Sequence, residues 1–353
     1  KMDKPLQQSW PLPKHSKPIV IIGAGGIVND AQMPAYHKAN FHVQGIFDIN
    51  QENARETADR WQIETIYPSL DQATLFTDVV YDLPIPPVVM PNVLEALPDG
   101  VPVLIQKPMG LNLDKAKLIK EICHRKGLQA AVNFQLRFSA VMLALRDAFQ
   151  RGLLGALCEI ELHLNIHTPW EMFPFLKDME RVELLVHSIH YIDLIRSIVG
   201  DPHSVMCRSM ADPRSEAFRQ TRTSAILDFE YPLRCLMSIN HNHNYGRKAQ
   251  NSIFRFEGTS GSVLIKMGLL LNYPDGEPDE FWICERDGEW QQIPLSGEWF
   301  PDAFIGTMSN VQRFDSGEDE ILHTSVDDAY KTMAVIEACF KSTVTAGTHV
   351  NYS

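Results

Sequence analysis

The sequence predicts a two-domain α/β protein: a doubly wound parallel sheet first, then an α+β domain with an open, mostly antiparallel sheet. Three observations carry this expectation. Up to about residue 137, short apolar runs alternate with helical patterns, which makes the strands parallel and their crossovers right-handed. Beyond that point several strand patterns follow one another with no helix between them, as antiparallel neighbours do. The chain has 353 residues, more than one ordinary core holds. The expected divisions are a polar tail over 1–17, a first domain over 18–137 and a second over 138–353, whose last helix packs back on the first domain.

The first domain opens with Val20-Ile21-Ile22-Gly23-Ala24-Gly25-Gly26-Ile27-Val28, which reads as a buried strand, a glycine turn and the start of a helix reaching residue 38. Such a turn aims backbone N–H groups and the positive end of a helix dipole at one spot, which suits a diphosphate. Gly23, Gly25, Gly26 and Ile27 are the candidate seat. The pattern G-x-G-x-x-G/A asks for a small residue last and finds Val28, so an ordinary strand-to-helix turn is the competing reading.

A strand over 42–47 then ends on Asp48, 25 residues after Gly23. A carboxylate at that tip accepts from ribose hydroxyls and repels a 2′-phosphate, which favours NAD over NADP. The alternation continues with a helix over 51–60, a strand near 66, a helix from 69, a strand over 78–81 and a helix over 90–97. A strand over 101–106, a helix over 113–126 and a strand over 130–134 complete the set. Leu113, Ala116, Ile119 and Ile122 mark the apolar stripe of that last helix.

In the second domain a helix over 139–150 precedes a strand over 157–167, which places His163, Asn165 and His167 on one face. A helix over 181–198 follows. Six strands come next, over 205–210, 224–230, 234–240, 252–257, 262–266 and 280–284, and helices over 303–314 and 326–346 finish the chain.

Composition narrows the function class. Hydrophobic residues make up 44% and charged residues 22%, with a net charge of −12, so no basic surface for nucleic acid or anionic membrane is expected. No apolar run reaches the roughly 18 to 20 residues of a membrane span, and the first seventeen residues lack a signal-peptide core. The chain opens on Lys1, so a leader or tag is expected to have been removed. The six cysteines, Cys123, Cys158, Cys207, Cys235, Cys284 and Cys339, are dispersed, which suits reduced thiols in the cytoplasm better than disulfides or zinc.

Ligands of parallel sheets bind outside the carboxyl ends of the strands. Gln106-Lys107-Pro108 stands at such an end, where a lysine can bond a substrate hydroxyl and stabilise a developing alkoxide. A surface lysine is the plainer reading. On the helix over 181–198, Glu183, Val186 or His187, His190 and Asp193 or Leu194 fall along one stripe. His190 reads equally as a proton carrier and as a histidine bonded within an interface, and His187 as the latter. His241-x-His243 and His187-x-x-His190 could each hold zinc, but no carboxylate or cysteine stands at ligand spacing, so no metal is expected. Arg137, His163, His167, Trp170 and Asn240 are candidates for a polar substrate cleft.

Taken together, these motifs resemble the Gfo/Idh/MocA family, named for glucose-fructose oxidoreductase, inositol dehydrogenase and a rhizopine-catabolism protein. The resemblance rests on the glycine turn followed by Met33-Pro34-Ala35, Asp48, Lys107-Pro108, Asn133-Phe134-Gln135-Leu136-Arg137-Phe138, His190-x-x-Asp193 and Glu257-Gly258-Thr259-Ser260-Gly261. It implies a Rossmann domain, an α/β domain whose open sheet forms a homodimer or homotetramer, and NAD(P)-dependent oxidation of a sugar, polyol or sugar-acid hydroxyl or reduction of the matching carbonyl. It also implies catalytic roles for Lys107 and His190 and cofactor contacts from Pro108 and Gln135.

Three positions depart from the family pattern. Gln106 replaces a glutamate, Val186 an aspartate and Ser188 a glycine. Either Lys107 and His190 suffice, or His187 or Glu183 takes part from a neighbouring turn, or the protein has left the family reaction. The family also holds NAD-dependent glycosidases and a dinucleotide-binding repressor, so a hydrolase or a sensor is the alternative.

Overall fold

The computed structural model describes residues 4–215, 217–345 and 347–351. The chain forms two compact units, one of Ser9–Ala140 with Trp299–Met333 and one of Lys1–Gln8, Val141–Glu298 and Ala334–Ser353.

The first unit is built on six parallel strands: β1 (Ile19–Ile22), β2 (Val43–Phe47), β3 (Thr65–Ile66), β4 (Val80–Leu83), β5 (Pro102–Ile105) and β6 (Gln129–Val132). Their order is β3-β2-β1-β4-β5-β6. The order reverses between β1 and β4, the crevice where dinucleotide folds take their ligand. β1, β4 and β5 are buried at every residue, because helices cover both faces of a parallel sheet.

The helices are α1 (Met33–Lys38), α2 (Gln51–Trp61), α3 (Leu70–Ala73), α4 (Met90–Ala96) and α5 (Leu113–Arg125). Asn50, Ser69 and Asn112 cap α2, α3 and α5 by accepting from Glu52, Gln72 and Lys115 N–H, as short polar side chains do at helix starts. A π-turn, Val28–Gln32, leads into α1.

β4 lies two residues later than the sequence pattern places it. Asp78 stays in solvent 3.5 Å from the Lys17 ammonium, and the strand continues through Asp82, a polar residue that hides the true apolar span. Asp82 is only 1% exposed. Its carboxylate accepts from the Tyr36 hydroxyl at 2.5 Å and from Gln32 Nε2 at 2.9 and 3.0 Å.

Residues 299–333, assigned by the sequence to the second domain, pack in the first unit. Phe304, Met308 and Val311 join the core that holds Ile19, Ile21 and Val28. The tail is equally embedded. The Trp10 indole N–H donates to Asp319 at 2.8 Å, and its ring meets Phe138 and His323 edge-on at 5.3 and 5.0 Å.

The second unit is organised by eight strands: β7 (Leu157–Asn165), β8 (Ser204–Met210), β9 (Arg222–Asp228), β10 (Arg234–Asn240), β11 (Asn251–Gly258), β12 (Gly261–Lys266), β13 (Glu280–Glu285) and β14 (Gln291–Ile293). Their order is β14-β13-β12-β11-β7-β10-β9-β8. All neighbours are antiparallel except β7 and β10, which run parallel with Leu162 opposite Met237. The polar edge strand β14 carries no apolar signal and escapes sequence reading.

Buried and exposed residues alternate along β9 and β10, so one face is core and the other open. Two helices, α6 (Ala140–Gln150) and α7 (Ile189–Val199), belong with this sheet. Tyr191 of α7 meets Phe254 of the core face edge-on. α8 (Asp302–Asp315) lies in the first unit, and α9 (Val326–Val344) contributes to both. The predicted end of α9, Ala346, lies outside the described residues.

Burial pushes the Asp82 carboxyl up to about 7, against the opposing pull of its Tyr36 and Gln32 bonds. An unfolded Asp titrates near 3.8, so between about pH 4 and 7 the folded chain binds the extra proton, and stability falls as pH rises through that window. Asp82→Asn is expected to flatten the pH dependence of the melting temperature between pH 4 and 7. It should gain on the wild type above pH 7 by at most about 4 kcal/mol, as read by thermal melts across that range.

Candidate functional site

The first unit carries a cradle at the end of β1. Gly23 has φ +118°, and a Cβ there would lie 2.7 Å from Pro84 O, so only glycine fits the turn. A Cβ on Gly25 would meet nothing within 4 Å. Helical structure begins at Gly26 and Ile27, leaving first-turn N–H groups beside this open space. At the tip of β2, Asp48 Oδ2 accepts from Ala24 N–H and Oδ1 from Asn50 N–H, both at 2.7 Å.

Each Asp48 oxygen keeps acceptor capacity. Open space over a glycine turn, exposed helix-start donors and a carboxylate at the next strand tip fit a dinucleotide. Val28 is fully buried in the core, and the π-turn starts on it.

Lys107 follows the end of β5, half-buried, with a cis peptide to Pro108. Burial lowers its ammonium to about 8. Beside it, Gln106 Oε1 lies 3.5 Å from Asn133 Nδ2. Gln135 is buried and accepts from the Trp299 indole at 3.1 Å. The Arg137 guanidinium donates to His323 O at 3.0 Å and to Asp328 at 2.5 Å, which makes it a tie within the first unit.

In the second unit the helical turn leading to His190 is distorted. Leu184–Ser188 form a π-turn ahead of α7, so the single stripe expected from α-helical spacing does not hold. Residues five apart come together instead: Ser188 Oγ donates to both Glu183 oxygens at 2.8 and 2.9 Å. Glu183 is 0% exposed. It also accepts a short bond from Thr223 Oγ1, and His241 Nε2 lies 3.5 Å from its Oε1.

The other ring nitrogen of His241, Nδ1, is 2.8 Å from Thr168 Oγ1. His187 lies against His241 with centroids 4.1 Å apart and planes tilted by 40°, and Trp170 lies 5.9 Å from His187 and 5.5 Å from His241. His190, on the next turn, is 7% exposed.

A cavity of about 470 Å³ opens beside this cluster, lined by His167, Thr168, Trp170, Arg214, His241 and Asn242 among others. The structure therefore gathers His167, Trp170, His187, Glu183 and His241. It does not bring His163 or Asn240 to them. His163 is exposed in mid-strand, and Asn240 is bonded to Asn165 on the same strand pair at 2.9 Å. His243 points to Gly246 O at 3.1 Å. Among the described residues no group of three or more His, Cys, Asp or Glu side chains is placed to hold a metal. Thr168 and Thr223 carried no sequence signal, because short hydroxyl residues are common; Ser188 stood out only as a departure from the resembled motif, since the π-turn that recruits it is invisible in the pattern.

Family comparison matches most of the chain, and its C-terminal match runs on through residues 299–333, which pack in the first unit. Residues 17–134 match the oxidoreductase family's NAD-binding Rossmann fold, and residues 170–350 match its C-terminal alpha/beta domain. The chain belongs to the Gfo/Idh/MocA oxidoreductase family.

Among family relatives, D-apiose dehydrogenase of Rhizobium rhizogenes is 22% identical over 313 residues, covering 85% of this chain and 87% of the relative. Glucose-6-phosphate 3-dehydrogenase of Bacillus subtilis is 27% identical over 155 residues, 42% of each chain. Two solved structures share the fold. An oxidoreductase from Agrobacterium radiobacter, in complex with NAD+, L-tartaric acid and magnesium, superposes with a TM-score of 0.77 at 18% identity, covering 93% of this chain and 96% of that one. Aldose-aldose oxidoreductase from Caulobacter crescentus, complexed with glycerol, gives 0.76 at 16% identity, covering 93% and 98%.

Gly23→Ala is expected to weaken NADH binding at least tenfold and to lower the melting temperature, because the new methyl meets Pro84 O and the positive φ is strained. Fluorescence titration with NADH, alongside a thermal melt, checks this.

Proposed function

We propose that this family member is an NAD-dependent dehydrogenase acting on a hydroxyl of a sugar, polyol or sugar acid, or reducing the matching carbonyl. Gly23, Gly25, Gly26 and Ile27 would hold the diphosphate, Asp48 the ribose hydroxyls, and Pro108 and Gln135 the nicotinamide side. When bound, the nicotinamide supplies the hydride acceptor or donor. The observation that carries the reading is the half-buried Lys107 at the end of β5, titrating near 8. As an amine, Lys107 takes the proton of the substrate hydroxyl. As an ammonium, it returns one and offsets negative charge on that oxygen.

His190 is a second proton carrier, of a type that ionises in the physiological range. Val186 is apolar where the family has its motif aspartate, so these two residues carry the proton work here. The names of the relatives support a carbohydrate substrate. We extend the reading to a homodimer or homotetramer formed through the open face of the second sheet, with the six free cysteines supporting a cytoplasmic setting.

NADH formation across D-apiose, D-glucose 6-phosphate, myo-inositol and L-tartrate, with NAD and with NADP, tests the reading. Cleavage of a glycoside without net NADH would make the protein a hydrolase, and tight NADH binding with neither reaction a sensor. Oxidation by the wild type should rise tenfold per pH unit below about 8 and level off above it, since the amine form is needed. Reduction should fall above the same point. Lys107→Met is expected to lower kcat by about 10² to 10⁴ with NADH binding retained; unchanged turnover would refute the role. Asp48→Ser is expected to shift the kcat/KM ratio toward NADP, and a wild type that already prefers NADP would contradict the assignment.

A further inference from the structure

One wall of the second unit's cavity has its hydrogen-bonding sense set from beneath. Thr168 lines the cavity, and its Oγ1 is 2.8 Å from His241 Nδ1. The opposite nitrogen, Nε2, is buried 3.5 Å from Glu183 Oε1, near enough for an electrostatic pull though it makes no hydrogen bond. A carboxylate only accepts. A lone pair on Nε2 would be held against that negative charge where water does not screen it, whereas an N–H is attracted. In its neutral form the ring therefore carries its proton on Nε2, and Nδ1 is the acceptor.

Thr168 then gives its single proton to Nδ1. Toward anything in the cavity, its oxygen can only accept. The ring is also held from the side by His187, whose tilted ring lies 4.1 Å away.

Two further residues of the lining hold buried polar atoms. Trp170 is 5% exposed and Asn242 9%. Trp170 Nε1 and Asn242 Oδ1 have no hydrogen-bond partner among the described residues. One is a donor and the other an acceptor, and a buried polar group left without a partner is costly enough to be rare. The lining also includes His167, Lys177, Arg214 and Asn244, whose polar groups suit a molecule bearing several hydroxyls. The volume of about 470 Å³ is that of a small-molecule site.

The geometry points to Glu183 and His241 as positioning residues that fix Thr168 as the acceptor for one hydroxyl of a sugar or polyol bound in this cavity. The assignment rests on the carbohydrate reading above. Glu183 acts from the turn before Val186, the position that has lost the family's aspartate. Thr168 touches the ligand, whereas Glu183 and His241 act through it.

Protein labelled with ¹⁵N at histidine, with the His241 signals identified from His241→Gln, tests this directly. The wild-type ring is expected to carry its proton on Nε2, and Glu183→Gln to give a mixture of tautomers. Titration with D-apiose, D-glucose 6-phosphate and myo-inositol is expected to shift the Nδ1 signal for at least one of them. For that sugar Thr168→Val should raise the dissociation constant tenfold or more, and Thr168→Ser should restore it to within threefold. A wild-type proton on Nδ1, silence of His241 toward all three sugars, or unchanged binding by Thr168→Val each overturns the inference. Should Glu183→Gln not fold, the wild-type tautomer and the Thr168 pair decide alone. NADH formation with a silent His241 sinks this inference and spares the dehydrogenase reading; a His241 response without NADH from any sugar does the reverse.

Discussion

Glu183 is a carboxylate sealed from water, and a buried charge without partners is among the costliest things a fold can hold. The segment leading to α7 is shaped by that requirement. Ser188 reaches back to Glu183 across five residues, a spacing that an α-turn does not bring together and a π-turn does. Thr223 from β9 and His241 from beyond β10 complete the shell. Those contacts fix the rotation of the turns on which His187 and His190 sit. Val186 and Ser188 are the positions at which the sequence departs from the motif it resembles, and the serine is part of the bonding that holds the neighbouring acid.

The first unit repeats the device with other residues. Its π-turn, Val28–Gln32, ends on a glutamine that donates to a second sealed acid, Asp82. In both units the last residue of a π-turn bonds a buried carboxylate, and in both the turn adjoins a candidate functional element: the glycine cradle in one, His190 in the other. π-turns are rare and concentrate at functional positions. Here each has an identifiable chemical partner.

Much of the fold was legible because burial writes itself as period and composition. β1 and β5 are apolar throughout, and Leu113, Ala116, Ile119 and Ile122 mark α5 by their spacing. Asp48 was legible as the residue at the tip of β2, where the structure ties it to the glycine turn. What stayed hidden depended on contacts distant in sequence. Asp82 reads as a strand terminator until Tyr36 and Gln32 are seen to satisfy it. α8 has the apolar stripe of any helix, and nothing in it says that Phe304 and Met308 pack against Ile19 and Ile21 nearly 300 residues earlier. The tail looked dispensable because Trp10 is a lone aromatic in a polar stretch, and its partners, Asp319, Phe138 and His323, lie far along the chain. A π-turn likewise leaves no trace in a hydrophobic pattern, so the cluster around Glu183 and His241 was out of reach.

Asp48 has two employments at once. The oxygen that would meet a ribose also accepts from Ala24 N–H, inside the turn that would cradle the diphosphate. On the proposed role of Asp48, coenzyme choice and loop rigidity would be one heritable trait. A lineage that traded this carboxylate for a small neutral residue would release the Ala24 amide in the same step. It could settle on the phosphorylated coenzyme only after some other group had learned to hold the turn.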